Sequence, residues 1–395
     1  MRVDTNFYGT VPMPDVGDPS VHPKERRYGN ADCIACYENL LHWARTADGL
    51  GFDTMWLTEH HFQYEGYEVL PNLIMFGLYG ATKTSQLRFG QMFNVVPQWH
   101  PLRLAEDFAL ADILTGGRME FGVGRGTVPR ETFSLGGVVA SRDNAMSDEH
   151  NRRNREMFEE AIEVIKAAWY NERFEFRGKH FTFPPDGIPD RGSVVKDLTL
   201  IPKPRRPIDI YQACSSPDTI EYVPRAGHRA VYWLNNPVAL KAKWDRFAEI
   251  RDEIGKPAAP GADRVLVFNV HVGRTREEAL RRGAPGHDEF VNFMAQFGSF
   301  KNYRLPDGSP VPDGYHPTVD DSRREQVQVV GSIDDVVDTI GMYRDLLSLK
   351  HICLFFDYPG LTRPEIDEQM HLMMEEVFPR LGEPVERRPL PGVGL

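Results

Sequence analysis

Cysteine is scarce in this chain: Cys33, Cys36, Cys214 and Cys353 are the only four among 395 residues. So few in so long a chain do not suggest a disulfide framework. Cys33 and Cys36 form a C-x-x-C that invites a redox or half-zinc reading. No second such pair exists to complete a zinc site, and the plainer reading is two small residues on a helix. A run of 18 apolar residues is also missing, and the opening MRVDTNFYGT lacks the apolar core of a secretory signal, so a cytoplasmic location is expected. Positive charge is in deficit: 46 Lys and Arg against 57 Asp and Glu leave a formal charge of −11. Without a basic run to offset it, such a surface repels nucleic acid and anionic membranes. A phosphate-bearing ligand would therefore need a local arginine cluster. There is no internal repeat, no low-complexity tract and no Walker A sequence. Glycines 122, 124 and 126 do not complete a dinucleotide fingerprint, because Thr127 stands where its last glycine would be.

What the chain does have is alternation. Short apolar runs predict strands near 3–8, 53–58, 87–95, 119–123, 208–213, 229–234, 265–272 and 351–356, with helices between them. Phe158, Ile162, Ile165 and Trp169 mark one buried helical face. Val336, Ile340, Tyr343 and Leu347 mark a second, and Ile366, Met370, Met373 and Val377 a third. Pro101 and Pro364 suit first helical turns, and Ser332 with Asp335 resembles a capping box. Eight strands in a βα alternation predict an α/β fold of one domain, a single (β/α)8 TIM barrel spanning 1–395. Three insertions interrupt it. Residues 10–30 are rich in Pro and Gly. Residues 170–207 contain a small hairpin (RFEFRGKHFTF). Residues 283–330 carry one helix (288–300) and a polar Pro/Gly stretch, and a short irregular tail covers 382–395. The first and third insertions follow strands 1 and 7, so both are expected at the C-terminal face, where barrel enzymes place their chemistry.

Three strand ends carry reactive residue types. FDTMWLTEHHF places Glu59, His60 and His61 directly after the second strand. Histidine titrates near neutral pH and can serve as acid or base. Neighbours on an extended backbone point opposite ways, so one histidine is expected to face a ligand while the other orients it or pairs with Glu59. A purely structural role stays open here, and adjacent histidines lack the spacing of a metal pair. GRMEFGVGRG runs a strand into Gly124-Arg125-Gly126, where glycine admits close backbone approach and arginine offers a fork for phosphate; the alternative is a tight turn with a surface arginine. ACSSPDTIEYVPRAG opens a helix with Ser215, Ser216 and Thr219, either an anion site or plain N-capping. Arg155, read as lying at the start of a 154–170 helix, is the second arginine able to converge on the same phosphate.

With these motifs in place the chain resembles the bacterial luciferase-like flavin-dependent monooxygenases, the alkanal monooxygenase-like superfamily. The resemblance is carried by GFDTMWLTEHHF, by residues 87–126, by the Ser/Thr-rich 213–221 segment, and by GSIDDVVDTI, HICLFFDYPGL and EVFPRL. It covers about 31 to 381 apart from the insertions. It implies reduced FMN or, in other branches, a deazaflavin (F420). By the same resemblance His60 is the catalytic histidine, supported by His61 and Glu59. Arg125 and Arg155 would hold the flavin phosphate with Ser215, Ser216 and Thr219. Met92, Phe93 and Asn94 would back the ring, the Met92–Phe93 peptide being cis in relatives. One departure concerns Gly124: luciferases carry a reactive cysteine just before the matching arginine, which speaks against long-chain aldehyde oxidation with light emission.

The resemblance further implies a two-component enzyme that takes reduced flavin from a separate reductase and uses O2 to oxygenate a small organic substrate through a flavin C4a-(hydro)peroxide, with a neutral His60 as base. It also implies a homodimer. A deazaflavin-dependent hydride-transfer oxidoreductase of the same fold is the second reading. A metal-dependent barrel hydrolase built on His60 and His61 is the third, and a non-catalytic flavin-binding subunit the fourth.

Overall fold

In the computed structural model, residues 1–18, 20–126, 128–136, 148–295 and 299–391 are described. Strand β1, Arg2–Phe7, is followed by β2 (Thr54–Leu57), β3 (Arg88–Gln91), β4 (Met119–Gly124), β5 (Ile210–Ala213), β6 (Arg229–Trp233), β7 (Arg264–Gly273) and β8 (His351–Phe355). Each pairs in parallel with the next, and β8 pairs back onto β1 with Asn6 opposite Phe355. The result is a closed eight-stranded parallel barrel. All eight strands were legible because each is an apolar run bounded by turn residues. Helices α1 (Asn30–Leu50), α2 (Leu73–Ala81), α3 (Pro101–Leu114), α4 (Pro129–Ser134), α5 (Asp148–Tyr170), α6 (Pro217–Arg225), α7 (Pro237–Glu253), α8 (Arg276–Ala295), α9 (Val319–Arg324), α10 (Ile333–Leu347) and α11 (Arg363–Leu372) lie in the connections. Pro101 opens α3, Pro364 lies in the first turn of α11, and Ser332 and Asp335 cap α10 reciprocally. Both C-x-x-C cysteines lie on α1.

Three expectations need correction. The strand expected over 87–95 is broken after Gln91 by a cis Met92–Phe93 peptide, and Asn94–Val95 then pairs with β4. The segment 283–330 is more ordered than its polar composition suggests. Its helix α8 begins already at Arg276, and α9 and a further parallel strand, Gln328–Ser332, follow. That strand pairs with the second half of β7, an extension that alternation alone did not reveal; residues 296–298 of the expected 288–300 helix lie outside the described residues. Helix α5 starts at Asp148, so Arg155 sits inside it and not at its first residue. The 170–207 insertion does contain the hairpin, Phe176–Arg177 against Thr182–Phe183.

Inside the barrel, side chains stack in layers. The N-terminal layer is charged. Asp4 accepts hydrogen bonds from Arg2, Trp56 Nε1 (2.6 Å) and His351 Nε2 (2.6 Å). The tail reaches this end: Arg388 lies 2.7 Å from Asp53 and 3.0 Å from Glu120, and the Met1 amine donates to Pro384 O at 2.7 Å. Above it lies an apolar layer of Trp56, Met92, Tyr211, Val231, Val265, Val267 and Cys353. The loops after each strand rise from this floor.

Candidate functional site

At the C-terminal end, the first and third insertions meet as expected from their places after β1 and β7. Arg26 of the first insertion pairs with Glu289 of α8 at 2.6 Å, both groups buried, and Tyr67 donates a hydrogen bond to the same carboxylate. Tyr67 stacks on Phe293 with ring centroids 4.2 Å apart. Beneath them Tyr8, Trp233, Phe290, Phe355 and Tyr358 pack edge-on or tilted into an aromatic wall over the mouth on the β6–β8–β1 side. Tyr8, Phe290, Phe355 and Tyr358 are buried in this wall, and Trp233 is half-buried.

The Glu59-His60-His61 corner follows β2. Glu59 is buried and accepts from Val95 N–H at 2.9 Å, from Trp99 Nε1 at 3.0 Å and from His61 Nε2 at 3.1 Å. The pairing of one histidine with Glu59 thus falls on His61. His60 turns the other way, to Glu131 Oε1 (2.9 Å from Nδ1) and Glu68 Oε2 (3.2 Å from Nε2). Burial works against a charged imidazole, but the two carboxylates outweigh it and hold His60 well above the usual histidine range. Both ring nitrogens of His60 thus face carboxylates. Sequence reasoning missed Glu68 and Glu131. Glu131 stands 71 positions from His60, on α4, and no local pattern connects the two.

The phosphate-binding candidates do come together. Arg125 leaves the end of β4, and its carbonyl accepts from Asn154 Nδ2 of α5 at 3.2 Å. Arg155, on the same helix, pairs with Asp218 in the first turn of α6. Burial raises the Glu159 carboxyl while Arg155 and Arg125 pull it down, so both guanidiniums act on one point. At the start of α6, Ser216 and Thr219 form a reciprocal cap, and the Thr219 hydroxyl accepts from Ser215 N and Ser216 N. The capping reading of that segment is therefore realised, and it leaves fewer N–H groups for an anion. Asp218 is a competitor that sequence reasoning did not weigh.

Beside this cluster lies the cis Met92–Phe93 turn. Met92 joins the apolar layer of the barrel, Phe93 is half-buried, and Asn94 donates to Gly122 O at 3.0 Å. A Cβ on Gly124 would approach Phe93 to 3.1 Å, and one on Gly122 would land 1.8 Å from Gln91 O. The β4 end thus keeps its backbone bare and close to residues 91–93.

A family model described as "Luciferase-like monooxygenase" matches residues 16–349. Among curated proteins, the oxygenase component of a flavin-dependent trigonelline monooxygenase from Acinetobacter baylyi is 30% identical over 38% of each chain. An F420-dependent glucose-6-phosphate dehydrogenase from Kineococcus radiotolerans is 26% identical over 48% of this chain and 50% of that one. Such alignments span about half of the relatives' length or less. Among solved structures, the oxygenating constituent of 3,6-diketocamphane monooxygenase from Pseudomonas putida, a type II Baeyer-Villiger enzyme in complex with FMN, superposes with a TM-score of 0.71. It covers 96% of this chain and 98% of that one at 20% identity, a likeness of fold.

Proposed function

Since the chain belongs to the luciferase-like monooxygenase family, we propose that it is the oxygenase component of a two-component flavin monooxygenase. In this reading it takes reduced FMN from a separate reductase and uses O2 to oxygenate a small organic substrate. The observation that carries the reading is the convergence of Arg125, Arg155 and the α6 start on one side of the barrel mouth, beside the bare glycine strand end. The residues present suit a flavin: Arg155 Nε is buried without a hydrogen-bond partner, and a Cβ at Gly124 would crowd Phe93.

Arg125 and Arg155 would hold the flavin phosphate, Arg155 exchanging Asp218 for it, with Ser215, Ser216 and Thr219 lining the rim. Met92, Phe93 and Asn94 would support the ring from the barrel side. When bound, reduced flavin supplies the electrons that activate oxygen. The protein's part is to bind and orient it, to exclude water beneath the closed first and third insertions, and to handle protons at the Glu59–His60–His61 corner. We also propose a homodimer. What supports it is that helices α2 and α3 pack together and expose the apolar side chains Met75, Tyr79, Leu110 and Leu114.

The test is aerobic NADH oxidation by the purified protein with FMN. Turnover should require an added reductase, and fast turnover without one would remove the two-component reading. The likeness to an F420-dependent dehydrogenase favours a second reading, hydride transfer with a deazaflavin. That enzyme would bind the deazaflavin more tightly than FMN and consume no oxygen.

A further inference from the structure

We infer that Trp233 is the platform on which the substrate lies, that Asn269 is its positioning residue, and that the substrate is an uncharged compound with a planar aromatic ring. The inference rests on the oxygenase reading of this mouth, and it deepens that reading by naming the class of compound taken.

Strand alternation puts Val231 and Trp233 on the lumen face of β6, and Val265, Val267 and Asn269 on the lumen face of β7. The three valines belong to the apolar layer, so Trp233 and Asn269 stand one level higher, at the mouth. Trp233 Nε1 donates to Asn269 Oδ1 at 2.6 Å. An indole nitrogen only donates, so the amide presents its oxygen here. Asn269 is fully buried, where an amide is costly unless it is bonded. Its bond fixes the one ring of the aromatic wall that is not itself buried. Tyr8 meets the indole edge-on at 5.8 Å, and Phe290 and Phe355 lie tilted to it at 5.9 Å and 6.4 Å. The indole is thus backed by three rings and tied at its nitrogen, yet part of its surface stays open. A fixed, partly open indole is a stacking surface that costs no further ordering when a second ring arrives.

The other half-buried ring on the same apolar layer is Phe93, after β3. It belongs to the half of the mouth that carries Arg125, Arg155 and the start of α6. In the flavin reading that half holds the cofactor, which leaves the half under Trp233 for the substrate. The lumen-facing side chains there, Asn6, Tyr8, Trp233, Asn269 and Phe355, carry no charge. The charged groups around them answer one another. Asp357 accepts the backbone N–H groups of Gly9 and Thr10, Arg26 pairs with Glu289, and His60 pairs with Glu68 and Glu131. An ionised substrate would lose its water at Trp233 without gaining a partner, whereas a neutral aromatic ring loses little and gains a stacked neighbour.

The experiment follows the fluorine NMR lines of the full-length protein labelled with 5-fluorotryptophan, the Trp233 line being the one lost in Trp233→Phe. Three probes of matched size are titrated: acetophenone, cyclohexyl methyl ketone and benzoate. Acetophenone should shift the Trp233 line and bind about 3- to 10-fold more tightly than its saturated counterpart. It should bind at least about 30-fold more tightly than benzoate, and saturating FMN should leave it bound. Trp233→Leu should abolish the preference for the aromatic ketone, while Trp233→Phe keeps it. Asn269→Leu should weaken acetophenone binding in the wild-type background but not in Trp233→Leu, because a positioning residue acts only through the indole. An unmoved Trp233 line, equal or tighter binding of the saturated ketone or of benzoate, or displacement of acetophenone by FMN overturns the inference. The wild-type titrations decide the matter even where a variant does not fold. Failure of the wild-type protein to bind any flavin, with the preference for acetophenone intact, would overturn the oxygenase reading alone.

Discussion

Arg125 leaves β4 between two glycines, with its carbonyl tied to α5 and its charge acting together with that of Arg155. If it holds a phosphate, Arg125→Ala should weaken FMN binding by roughly 10- to 100-fold, the worth of a charge-assisted hydrogen bond. Riboflavin, which lacks the phosphate, should bind almost as before, and fluorescence titration of both flavins would show it. Equal losses for the two would remove Arg125 from the phosphate site. At the other end of the barrel Glu120 is governed by the opposite balance. Burial disfavours its charge, but Arg388, Arg206, Arg2 and Arg88 outweigh that and bring its carboxyl down to about 2. A depressed carboxylate contributes stability that is complete above its unfolded value near 4.5 and lost as pH falls through 2. Acid should therefore remove about 3 kcal/mol from this group alone. Melting temperatures measured between pH 5 and 2 should fall more steeply for wild type than for Glu120→Gln. Single residues were legible in the sequence where the chemistry is contiguous, as in Glu59-His60-His61 and Gly124-Arg125. They were not where the partner comes from another connection: Glu68, Glu131, Trp99 and Asp218 gave no sign, because only the closed barrel brings them near.

At the scale of elements, the eight strands and the buried faces of α5, α10 and α11 could be read because burial on both sides makes parallel strands uniformly apolar and helices periodic. The segment after β7 could not. Its Pro, Gly and charge read as loop, yet α8, α9 and the strand Gln328–Ser332 all form there, held by contact with β7 and by the aromatic wall. The bond between Arg26 and Glu289 joins this segment to the first insertion. Glu289→Ala would leave Arg26 buried without its main partner, a loss of about 3 kcal/mol for that contact. The expected result is faster proteolysis and hydrogen exchange in residues 8–29, with the barrel strands unaffected. An unchanged exchange pattern would mean that the insertion is held by its apolar contacts alone.

For the whole molecule, the closing contacts are the ones farthest apart in the chain. Arg387 and Arg388 dock under the barrel on Phe52 O, Asp53 and Glu120. Arg388→Ala should cost about 2 kcal/mol, less than a fully buried pair because the arginine is part-exposed. A urea midpoint equal to that of wild type would show that the tail merely rests there. The proximity of Met1 to Pro384 also has a consequence for biosynthesis. Strand β1 is made long before one of its two neighbours, β8, at residues 351–355. Until β8 has emerged the chain can form at most an open sheet, with a row of unpaired amides along β1 and an uncovered apolar interior. Such an edge is a template for pairing with other chains. The seam between β1 and β8 therefore stays open until residue 355 has emerged.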